Sequence, residues 1–537
     1  MDFDETQFLK RVPDKLRNLG FFESLCDEEF MHENLLITTS LLISVNNKFL
    51  INHEVLQKAM SLWVKNHPFL QSTIHRDLDK KTGKSKLNLP KFYIKMNKNI
   101  EDYNNLEYFE NVDNTINWPN MAERELKTPF DFINGPLWRM KVIKIYDNPT
   151  KSFDNYAMIF TLSHAISDGR NSFSIIIQYL NILDKLLKGI TVDKKDLVEI
   201  PSNLSWEKMV EDMKSRSKIK SCKNDFDCLN SVTHRIPSGI GNVSNGTNGR
   251  INHFIIDKKD LERLMQKMKS NEPSAKLTSL LLVIICLAFR RTCIIHKVDD
   301  IPLDNFVVSV PVCVRDKLSI KTLQMGSYVS NLETTVEFSK KSIENERKTI
   351  IGPVLNKVCY YIMISLIFPI YFFLGKILHP DIITSFLPKN KIVQSENVGE
   401  KSIFYFYKDF WSIVAENSAN LHKCISENLE LELPKKELIE IMLENNFDFS
   451  SFYPINFTVS NLGKMENTKC NSAIKVLESY VCVPCKEKRF GGFLYFGLTT
   501  IDNSLCCAIS YNEKFFSEKF VDDVKTNILK LIESIIV

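Results

Sequence analysis

The sequence predicts a mixed α/β protein built from two halves, and three observations support this prediction. Short β-branched runs, typical of buried strands, alternate with longer runs whose apolar residues recur every three or four positions, as along one face of a helix. The alternation occurs on both sides of residues 235–250, a stretch rich in Gly, Asn and Ser that holds four of the 17 glycines. The chain of 537 residues exceeds one core of ordinary size, because a domain takes about 150 residues. We therefore expect halves at 1–234 and 251–537, with 235–250 as a linker or crossover.

The first half is expected to begin with a strand that leads into a helix. Residues 35–45 are apolar and β-branched, and residues 53–66 carry apolar side chains at helical spacing. The turn-rich segment 128–139 then leads into the remaining elements. In chain order these are a strand at 140–145, a strand at 157–162 that precedes His164, and a helix at 173–187.

The second half shows the same mixture of patterns. Its apolar and alternating runs predict, in order, a helix at 278–290, a strand at 306–314, a strand at 455–459 that ends in a turn at 460–463, paired strands at 493–498 and 504–511, and a helix at 517–536. Both halves are therefore expected to contain strands as well as helices.

Composition and motifs exclude several classes of function. With 69 Lys and Arg against 65 Asp and Glu, the chain lacks the strong positive field of a nucleic-acid-binding protein, so no nucleic-acid partner is expected. The sequences G-x-G-x-x-G, P-loop and G-x-S-x-G are missing, so dinucleotide, nucleotide and serine-hydrolase chemistry have no motif support. The 13 cysteines lie mostly in apolar runs, which favours a reducing compartment. Cys482 and Cys485 have no partner pair at zinc-site spacing, so no metal is expected.

His164, Asp168 and Gly169 form the motif with the clearest chemical content. An imidazole with a pKa of about 6.5 takes up a proton near neutral pH, and the end of a buried strand holds such a base rigidly. A glycine directly after the aspartate lets the backbone turn, so that the carboxylate folds back beneath the ring or onto a nearby cation. A lone histidine is more often a packing residue, so an ordinary Asp-Gly turn after a strand is the alternative.

Several motifs in matching order resemble the HxxxD acyltransferase superfamily. This group includes chloramphenicol acetyltransferase and the condensation domains of peptide synthetases, and the sequence is most similar to alcohol O-acetyltransferases. The resemblance covers nearly the whole chain and rests on His67–Leu70, Gly135–Arg139, His164–Arg170, Val310–Arg315, Met325–Ser330 and Ser460–Gly463. Ser163 stands where some relatives have a second histidine, and the D-F-G-W-G sequence of plant relatives is missing.

The resemblance implies two chloramphenicol acetyltransferase-like half-domains whose mixed sheets face a central tunnel. Acyl-CoA is then a co-substrate and no cofactor is bound. His164 is expected to act as general base on the hydroxyl of an alcohol or lipid acceptor, so that an ester forms. Asp168, followed by Gly169, is expected to brace the loop by pairing with Arg315, with Arg139 as the second choice.

Ser460 and Asn461 are expected to come from the other half and to donate hydrogen bonds to the reacting oxyanion. The alternative for this segment is an ordinary turn after a strand. For the whole chain, one alternative is a non-catalytic relative that binds an acyl or lipid ligand or serves as a scaffold. The others are an N-acyltransferase and a carrier-dependent condensation enzyme.

Residues 358–375 form an apolar segment without charged side chains. Its length is at the lower limit for a membrane span, Pro369 interrupts a helix there, and a crossing would separate His164 from Ser460. We therefore expect short helices on a membrane surface, with a buried core helix or a single span as alternatives. The protein is expected to be a cytoplasmic monomer, located on the cytoplasmic face of the endoplasmic reticulum or on lipid droplets.

Overall fold

Two mixed sheets with helices packed against them form the framework of the protein, as seen in a computed structural model. The structure describes residues 15–20, 23, 26, 35–75, 93–96, 105–111, 115–145, 153–192, 205–216, 249–298, 303–340, 343, 410–431, 455–465, 472–485 and 494–537. The apolar segment 358–375 and residues 235–248 of the expected linker lie outside these ranges. The expectations for them therefore stay predictions.

The strands fall into three sheets. In chain order they are β1 (Lys15–Asn18), β2 (Leu36–Asn46), β3 (Ser72–His75), β4 (Tyr93–Met96), β5 (Leu106–Glu110), β6 (Trp138–Ile145), β7 (Phe153–Ser163), β8 (Gly249–Ile256), β9 (Asn305–Cys313), β10 (Val329–Glu337), β11 (Ile455–Met465), β12 (Ile474–Cys482), β13 (Leu494–Ile501) and β14 (Ser504–Asn512). The first large sheet has the order β12-β2-β7-β6-β5, the second has the order β10-β9-β11-β13-β14-β8, and a small sheet has the order β1-β4-β3. Parallel pairs, such as β5 with β6 and β11 with β13, occur beside antiparallel ones. The predicted fold class, α/β with two halves and mixed sheets, is confirmed.

Strand β12 does not follow the division into two halves. It lies late in the chain, yet it pairs antiparallel with β2 and so completes the first large sheet. It also passes close over β13 of the second sheet, where a Cβ at position 497 would overlap the carbonyl oxygen of Val481. Gly497 therefore has a steric reason to lack a side chain. Strand β12 therefore links the two large sheets. The boundaries expected from the sequence assign it to the second half, although it completes the sheet of the first.

The helices are, in chain order, α1 (His53–Asn66), α2 (Trp118–Lys127), α3 (Gly169–Leu187), α4 (Trp206–Arg216), α5 (Lys258–Asn271), α6 (Leu277–Ile295), α7 (Phe410–Ser426) and α8 (Glu518–Ile536). Several of these helices start directly after a residue whose side chain accepts a hydrogen bond from a backbone N–H of the first turn. Asn52 caps α1, and Ser517 caps α8. Asp168 caps α3, so this helix starts at Gly169 and not at the predicted residue 173.

The turn predicted at residues 460–463 is wrong. Strand β11 continues through this segment to Met465, and its pairing with β13 shifts register between Asn461 and Lys464. Gly463 has a φ of +80°, a conformation that residues with a Cβ rarely adopt. The segment is therefore a bulge within a strand, and a bulge redirects the side chains beside it.

Each large sheet has its own hydrophobic core. In the first core, the rings of Trp63, Trp138, Phe160 and Tyr179 meet edge to face, and the indole N–H of Trp63 donates to the carbonyl of Ile175 in α3 at 2.8 Å. In the second core, α6 packs against α8 and α7. Among the described residues, α6 alone has the length and composition of a membrane span, but 83% of its apolar window is buried inside the protein. Helix α6 is therefore a core helix of the second half.

His67 is a buried histidine that makes stability depend on pH. Burial lowers its pKa from 6.5 to about 4, although a hydrogen bond with Gln178 acts in the opposite direction. The unfolded chain therefore binds a proton that the folded chain excludes, and stability falls as the pH decreases from about 6.5 towards 4, by up to about 3 kcal/mol. We expect urea denaturation of the wild type to show this loss.

The matched variant is His67→Gln, whose amide does not titrate and keeps a polar partner for Gln178. It is expected to lose less free energy of unfolding than the wild type between pH 7 and pH 4.5. Equal losses in the two proteins would show that His67 does not contribute to the pH dependence.

Candidate active site

His164 lies directly after β7, at the edge of a cavity between the two halves. Its backbone N–H donates to the carbonyl of Leu35 at 2.8 Å, which fixes the end of the strand against the neighbouring one. The side chain is half-buried. Its Nδ1 lies 3.2 Å from the hydroxyl of Ser327, a fully buried residue of the second half. The imidazole is therefore held by a contact that crosses between the halves.

Asp168 is buried and its carboxylate is fully occupied by structural contacts. One oxygen accepts from the backbone N–H of Asn171 at 2.8 Å, which is the cap of α3. The other accepts from Arg315 Nη2 at 2.6 Å, from Arg315 Nε at 3.0 Å and from the backbone N–H of Tyr328 at 3.0 Å. Burial alone would raise the pKa of Asp168, but the Arg315 guanidinium and the two backbone donors lower it below its ordinary value. Asp168 is thus a charged brace for the loop.

Arg315 is the cation that the structure places beside Asp168. It is fully buried, donates to the backbone carbonyls of Gln324 at 2.6 Å and Gly326 at 2.8 Å, and lies over the ring of Tyr328. Arg139, the second choice from the sequence, is elsewhere and pairs with Glu125 at 2.7 Å. A planar guanidinium suits this position, because it presents several donors in fixed directions.

The loop after β9, residues 314–328, docks onto the histidine loop. Gly326 N–H donates to the carbonyl of Ile166 at 2.8 Å, and Asn171 Nδ2 donates to the carbonyl of Thr322 at 2.8 Å. Together with the pair between Asp168 and Arg315, these bonds join the two halves beside His164. The orientation of the catalytic candidate therefore depends on the second half being in place.

Gly169 allows a close approach between the halves. A Cβ at this position would lie 2.8 Å from Cδ2 of Leu462, in the bulge of β11. Since both residues line the cavity, a larger side chain at position 169 would push Leu462 aside and change the shape of the cavity.

The cavity has a volume of about 480 Å³ and is lined by both halves. His164, Asp168 and Gly169 face residues of the second sheet and the segment after β12. The second-half residues include Ser309, Pro311, Asn331, Thr458, Ser460, Asn461 and Tyr495. Of the residues that the sequence singled out, five line this one cavity, although His164 and Ser460 are more than 290 positions apart; they are His164, Asp168, Gly169, Ser460 and Asn461. Arg315 is not part of the lining and lies behind Asp168.

Ser460 and Asn461 differ in what their side chains do. The amide nitrogen of Asn461 donates to Thr278 Oγ1 at 3.0 Å, and its amide oxygen accepts from Gly463 N–H at 3.0 Å. Asn461 therefore holds the bulge in shape. Ser460 is almost buried at the cavity wall, and its hydrogen bond to Tyr495 partly offsets the rise that burial causes in the pKa of that phenol. Ser460 is the better candidate for an oxyanion donor.

Ser327 and Glu23 are site residues that sequence reasoning missed. The backbone N–H of Ser327 donates to the carboxylate of Glu23 at 3.3 Å, and the other oxygen of Glu23 accepts from Gly20 N–H at 2.8 Å. The side chain of Glu23 is buried. The motif at 325–330 pointed to the neighbourhood of Ser327 but not to its contact with His164.

Ser327→Ala is expected to lower kcat about tenfold if His164 acts as a base, because a fixed ring orientation is lost. KM values and the melting temperature are expected to stay close to those of the wild type. Steady-state kinetics and thermal unfolding measure both. Ser327→Cys keeps the volume but has a weaker hydrogen-bonding group. Its kcat is expected to lie between those of the wild type and of Ser327→Ala. A fall in melting temperature without a change in kcat would assign Ser327 a purely structural role.

In the described part of the chain, no group of three or more His, Cys, Asp or Glu side chains is close enough to hold a metal ion. The thiols of Cys482 and Cys485 are not joined in a disulfide. Cys485 Sγ donates to the carbonyl of Ser510 at 3.2 Å, and burial raises the pKa of Cys482 to about 12. Both cysteines therefore behave as buried packing residues.

Comparison with known proteins gives one family and a common fold. A family model described as alcohol acetyltransferase matches residues 19–358, more than half of the chain. No curated protein matches the sequence significantly. Among solved structures, polyketide synthase associated protein 5 from Mycobacterium tuberculosis is 10% identical with a TM-score of 0.58, over 97% of this chain and 98% of that one. Trichothecene 15-O-acetyltransferase from Fusarium sporotrichioides is 11% identical with a TM-score of 0.57, over 97% and 94%.

The first condensation domain of the CDA synthetase is also similar, at 11% identity and a TM-score of 0.54, over 96% of both chains. At such identities the similarity shows the fold alone. The fold that these proteins share with this chain is the arrangement of two halves, each with a large mixed sheet, described above.

Proposed function

The chain belongs to the alcohol acetyltransferase family, and from this premise we propose that it transfers an acyl group from acyl-CoA to an alcohol hydroxyl, with His164 as general base. The observation that supports the proposal most directly is the position of His164 at a cavity lined by both halves, with Nδ1 held by Ser327. An anchored ring with one nitrogen engaged is what a base needs in order to present the other nitrogen in a fixed direction.

In the proposed reaction, Nδ1 carries a proton and donates to Ser327, and Nε2 accepts the proton of the acceptor hydroxyl. The alcohol oxygen forms a bond to the thioester carbonyl carbon, and a tetrahedral oxyanion results. When the oxyanion collapses, the bond between carbon and sulfur breaks, and the imidazolium returns its proton to the departing thiolate. The products are an ester and free CoA, and the histidine ends in its starting state.

The oxyanion requires a hydrogen-bond donor at the cavity wall. We assign this role to the hydroxyl of Ser460, which lines the same cavity as His164 and comes from the opposite half. A donor held in place before the reaction stabilises charge that appears only in the transition state. Asp168 takes no part in proton transfer in this scheme, since Arg315 and two backbone N–H groups hold it in the charged form.

Association with a membrane is part of the same proposal. The support is the composition of residues 358–375, which are apolar and rich in aromatic side chains. A membrane-surface position would bring lipid-soluble alcohols to the protein on the cytoplasmic face of the endoplasmic reticulum or on lipid droplets. We also propose that the protein is a monomer.

The test is a transfer assay with the purified full chain. Acetyl-CoA and longer acyl-CoA thioesters are combined with a panel of alcohols and amines, and thiol release is followed together with the ester or amide product. Ester formation with alcohols is the expected result. Product formation only with amines would assign N-acylation, and thiol release no faster than without protein for every pair would overturn the enzyme proposal in favour of a binding or scaffold role.

A further inference from the structure

The face of the second large sheet that lines the catalytic cavity carries hydroxyl groups. Along β9 and β11 the side chains alternate, so that every second one packs into the core of the second half and the others face the cavity. The core set includes Val308 and Val459, and the cavity set includes Ser309, Thr458 and Ser460. A site for a purely apolar alcohol would instead have apolar side chains at these positions.

The strand register places three of the cavity-facing side chains in one row across the sheet. Thr458 of β11 pairs with Ser309 of β9 on one side and with Tyr495 of β13 on the other. All three line the cavity, and all are buried, with exposed fractions of 2% for Ser309 and 7% for Thr458 and Tyr495. The lining that β2 and β12 contribute is apolar and consists of Ile37 and Val481. The cavity therefore has an apolar part and a row of hydroxyl groups.

Ser309 faces the cavity with a hydroxyl group that has no partner. The residue is 2% exposed, and its hydroxyl forms no hydrogen bond with the described part of the chain. Tyr495 differs, because its phenol shares a hydrogen bond with Ser460. A buried hydroxyl without a hydrogen bond costs free energy, so native proteins rarely keep one that has no use. In a cavity of about 480 Å³, the use is to bind a polar group of a ligand.

We infer that the Ser309 hydroxyl binds a second hydroxyl group of the acceptor, so that the acceptor is a diol or a larger alcohol with a further hydroxyl group; the inference rests on the proposed function. A serine hydroxyl both donates and accepts, as the hydroxyl of an alcohol does. The partner of Ser309 on β10 is the acidic residue Glu333, which disfavours a carboxylate on the acceptor. Ile37 and Val481 provide apolar contacts for the carbon chain.

The spacing of the strands sets the distance between the two hydroxyl groups of the acceptor. Ser309 pairs with Thr458, and Ser460, the proposed oxyanion donor, lies two residues further along β11. With strands about 4.8 Å apart and a rise of about 3.3 Å per residue, Ser309 and Ser460 are about 8 Å apart. An extended chain with bonds of about 1.5 Å at angles of about 111° spans this distance in roughly six bonds. Six bonds separate the two oxygens of pentane-1,5-diol.

Acyl transfer from acetyl-CoA to matched pairs of acceptors tests the inference on the full chain. The pairs are pentan-1-ol with pentane-1,5-diol and propan-1-ol with propane-1,3-diol. Rates are compared per hydroxyl group, because a diol offers two of them. The variant is Ser309→Ala. The matched control is Ser270→Ala, which removes an exposed hydroxyl from α5 at a position that does not line the cavity.

The wild type is expected to show a kcat/KM about three- to tenfold higher for pentane-1,5-diol than for pentan-1-ol, since one hydrogen bond is gained. For the three-carbon pair the ratio is expected to be near one, because the second oxygen of propane-1,3-diol does not reach Ser309. Ser309→Ala is expected to lower kcat/KM for pentane-1,5-diol about three- to tenfold and to raise it for pentan-1-ol, because no unpaired hydroxyl remains. Ser270→Ala is expected to keep the wild-type ratios.

The opposite changes expected for the two five-carbon acceptors separate a binding role from a defect in folding, which would lower both values. A fall of both values together in Ser309→Ala would therefore overturn the inference. A wild-type ratio at or below one for the five-carbon pair would also overturn it.

Saturation-transfer NMR of pentane-1,5-diol and pentan-1-ol distinguishes this inference from the proposed function, because it requires no turnover. If the wild type binds the diol better, Ser309→Ala removes the difference and no acceptor is acylated, the inference is correct and the proposed function is wrong. If pentan-1-ol is acylated but neither measurement shows a preference for the diol, the proposed function holds and the inference is wrong.

Discussion

Replacement of His164 by alanine is expected to lower kcat/KM for acyl transfer about 10²- to 10⁴-fold, the range that a positioned general base contributes. No other group takes the proton from the attacking hydroxyl in the proposed reaction, so the loss should appear in kcat with every acceptor. The KM of acyl-CoA is expected to change little, because in the proposed reaction the imidazole contacts only the reacting end of the donor. Initial rates of thiol release and ester formation measure both constants.

The control for this variant is His422→Ala, which removes an exposed histidine from α7. It is expected to keep the wild-type rate. His164→Ala is expected to keep the wild-type melting temperature within a few degrees, because its ring is half-buried at a cavity and not packed in a core. Equal rates of transfer in His164→Ala and the wild type, for every pair of substrates, would remove His164 from the mechanism.

Asp168→Asn is expected to lower the free energy of unfolding by about 3–5 kcal/mol, since it leaves the buried guanidinium of Arg315 without its counter-charge. Activity should fall as well, because the histidine loop is anchored to the second half through this pair. Urea denaturation measures the first effect. Because Arg315 and the backbone donors lower the pKa of Asp168 below its ordinary value, the pair stays charged in weak acid, and the difference from the wild type is expected to be constant between pH 5 and 8 and to shrink only in stronger acid.

A neighbouring ion pair supplies the matched control. Asp316 also binds an arginine, Arg170, at 3.0 Å, but both side chains are largely exposed, at 74% and 43%. Asp316→Asn is expected to cost less than about 1 kcal/mol. Combining Asp168→Asn with Arg315→Met is expected to cost less than the sum of the single changes, since the uncompensated charge is gone. Equal small effects at positions 168 and 316 would contradict the role of Asp168 as a brace.

The sequence predicts the elements whose pattern is local. Helix α1 has the bounds that its apolar spacing indicates, 53–66, because one face of that helix is buried and the other is solvated. The start of α3 was placed four residues late, since its first turn depends on the cap at Asp168 and not on apolar spacing. The turn expected at 460–463 is a bulge, and no local pattern separates the two when Gly and Asn occur together.

The candidate site was predictable in its chemistry and only partly in its contacts. The resemblance to the HxxxD acyltransferases implied that Asp168 pairs with an arginine, and of the two arginines considered, Arg315 is the one that the structure places there. Ser327 and Glu23 carry no such signal. The hydroxyl of Ser327 contacts His164, which is 163 residues away in the chain. The backbone N–H of Ser327 donates to Glu23, which is 304 residues away. Contacts of this kind depend on how the two halves dock, which periodicity does not encode.

The exchanged strand β12 has a consequence for the order in which the protein can fold during synthesis. Strand β2 pairs with β12 along most of its length, from Val45 to Thr38. Until residue 482 has left the ribosome, β2 is therefore an open edge on an otherwise finished sheet. An unpaired edge of this length is a template for pairing with other chains. A gene truncated or split before residue 474 would leave the nascent first half permanently in that aggregation-prone state, dependent on a chaperone or on the missing piece supplied in trans.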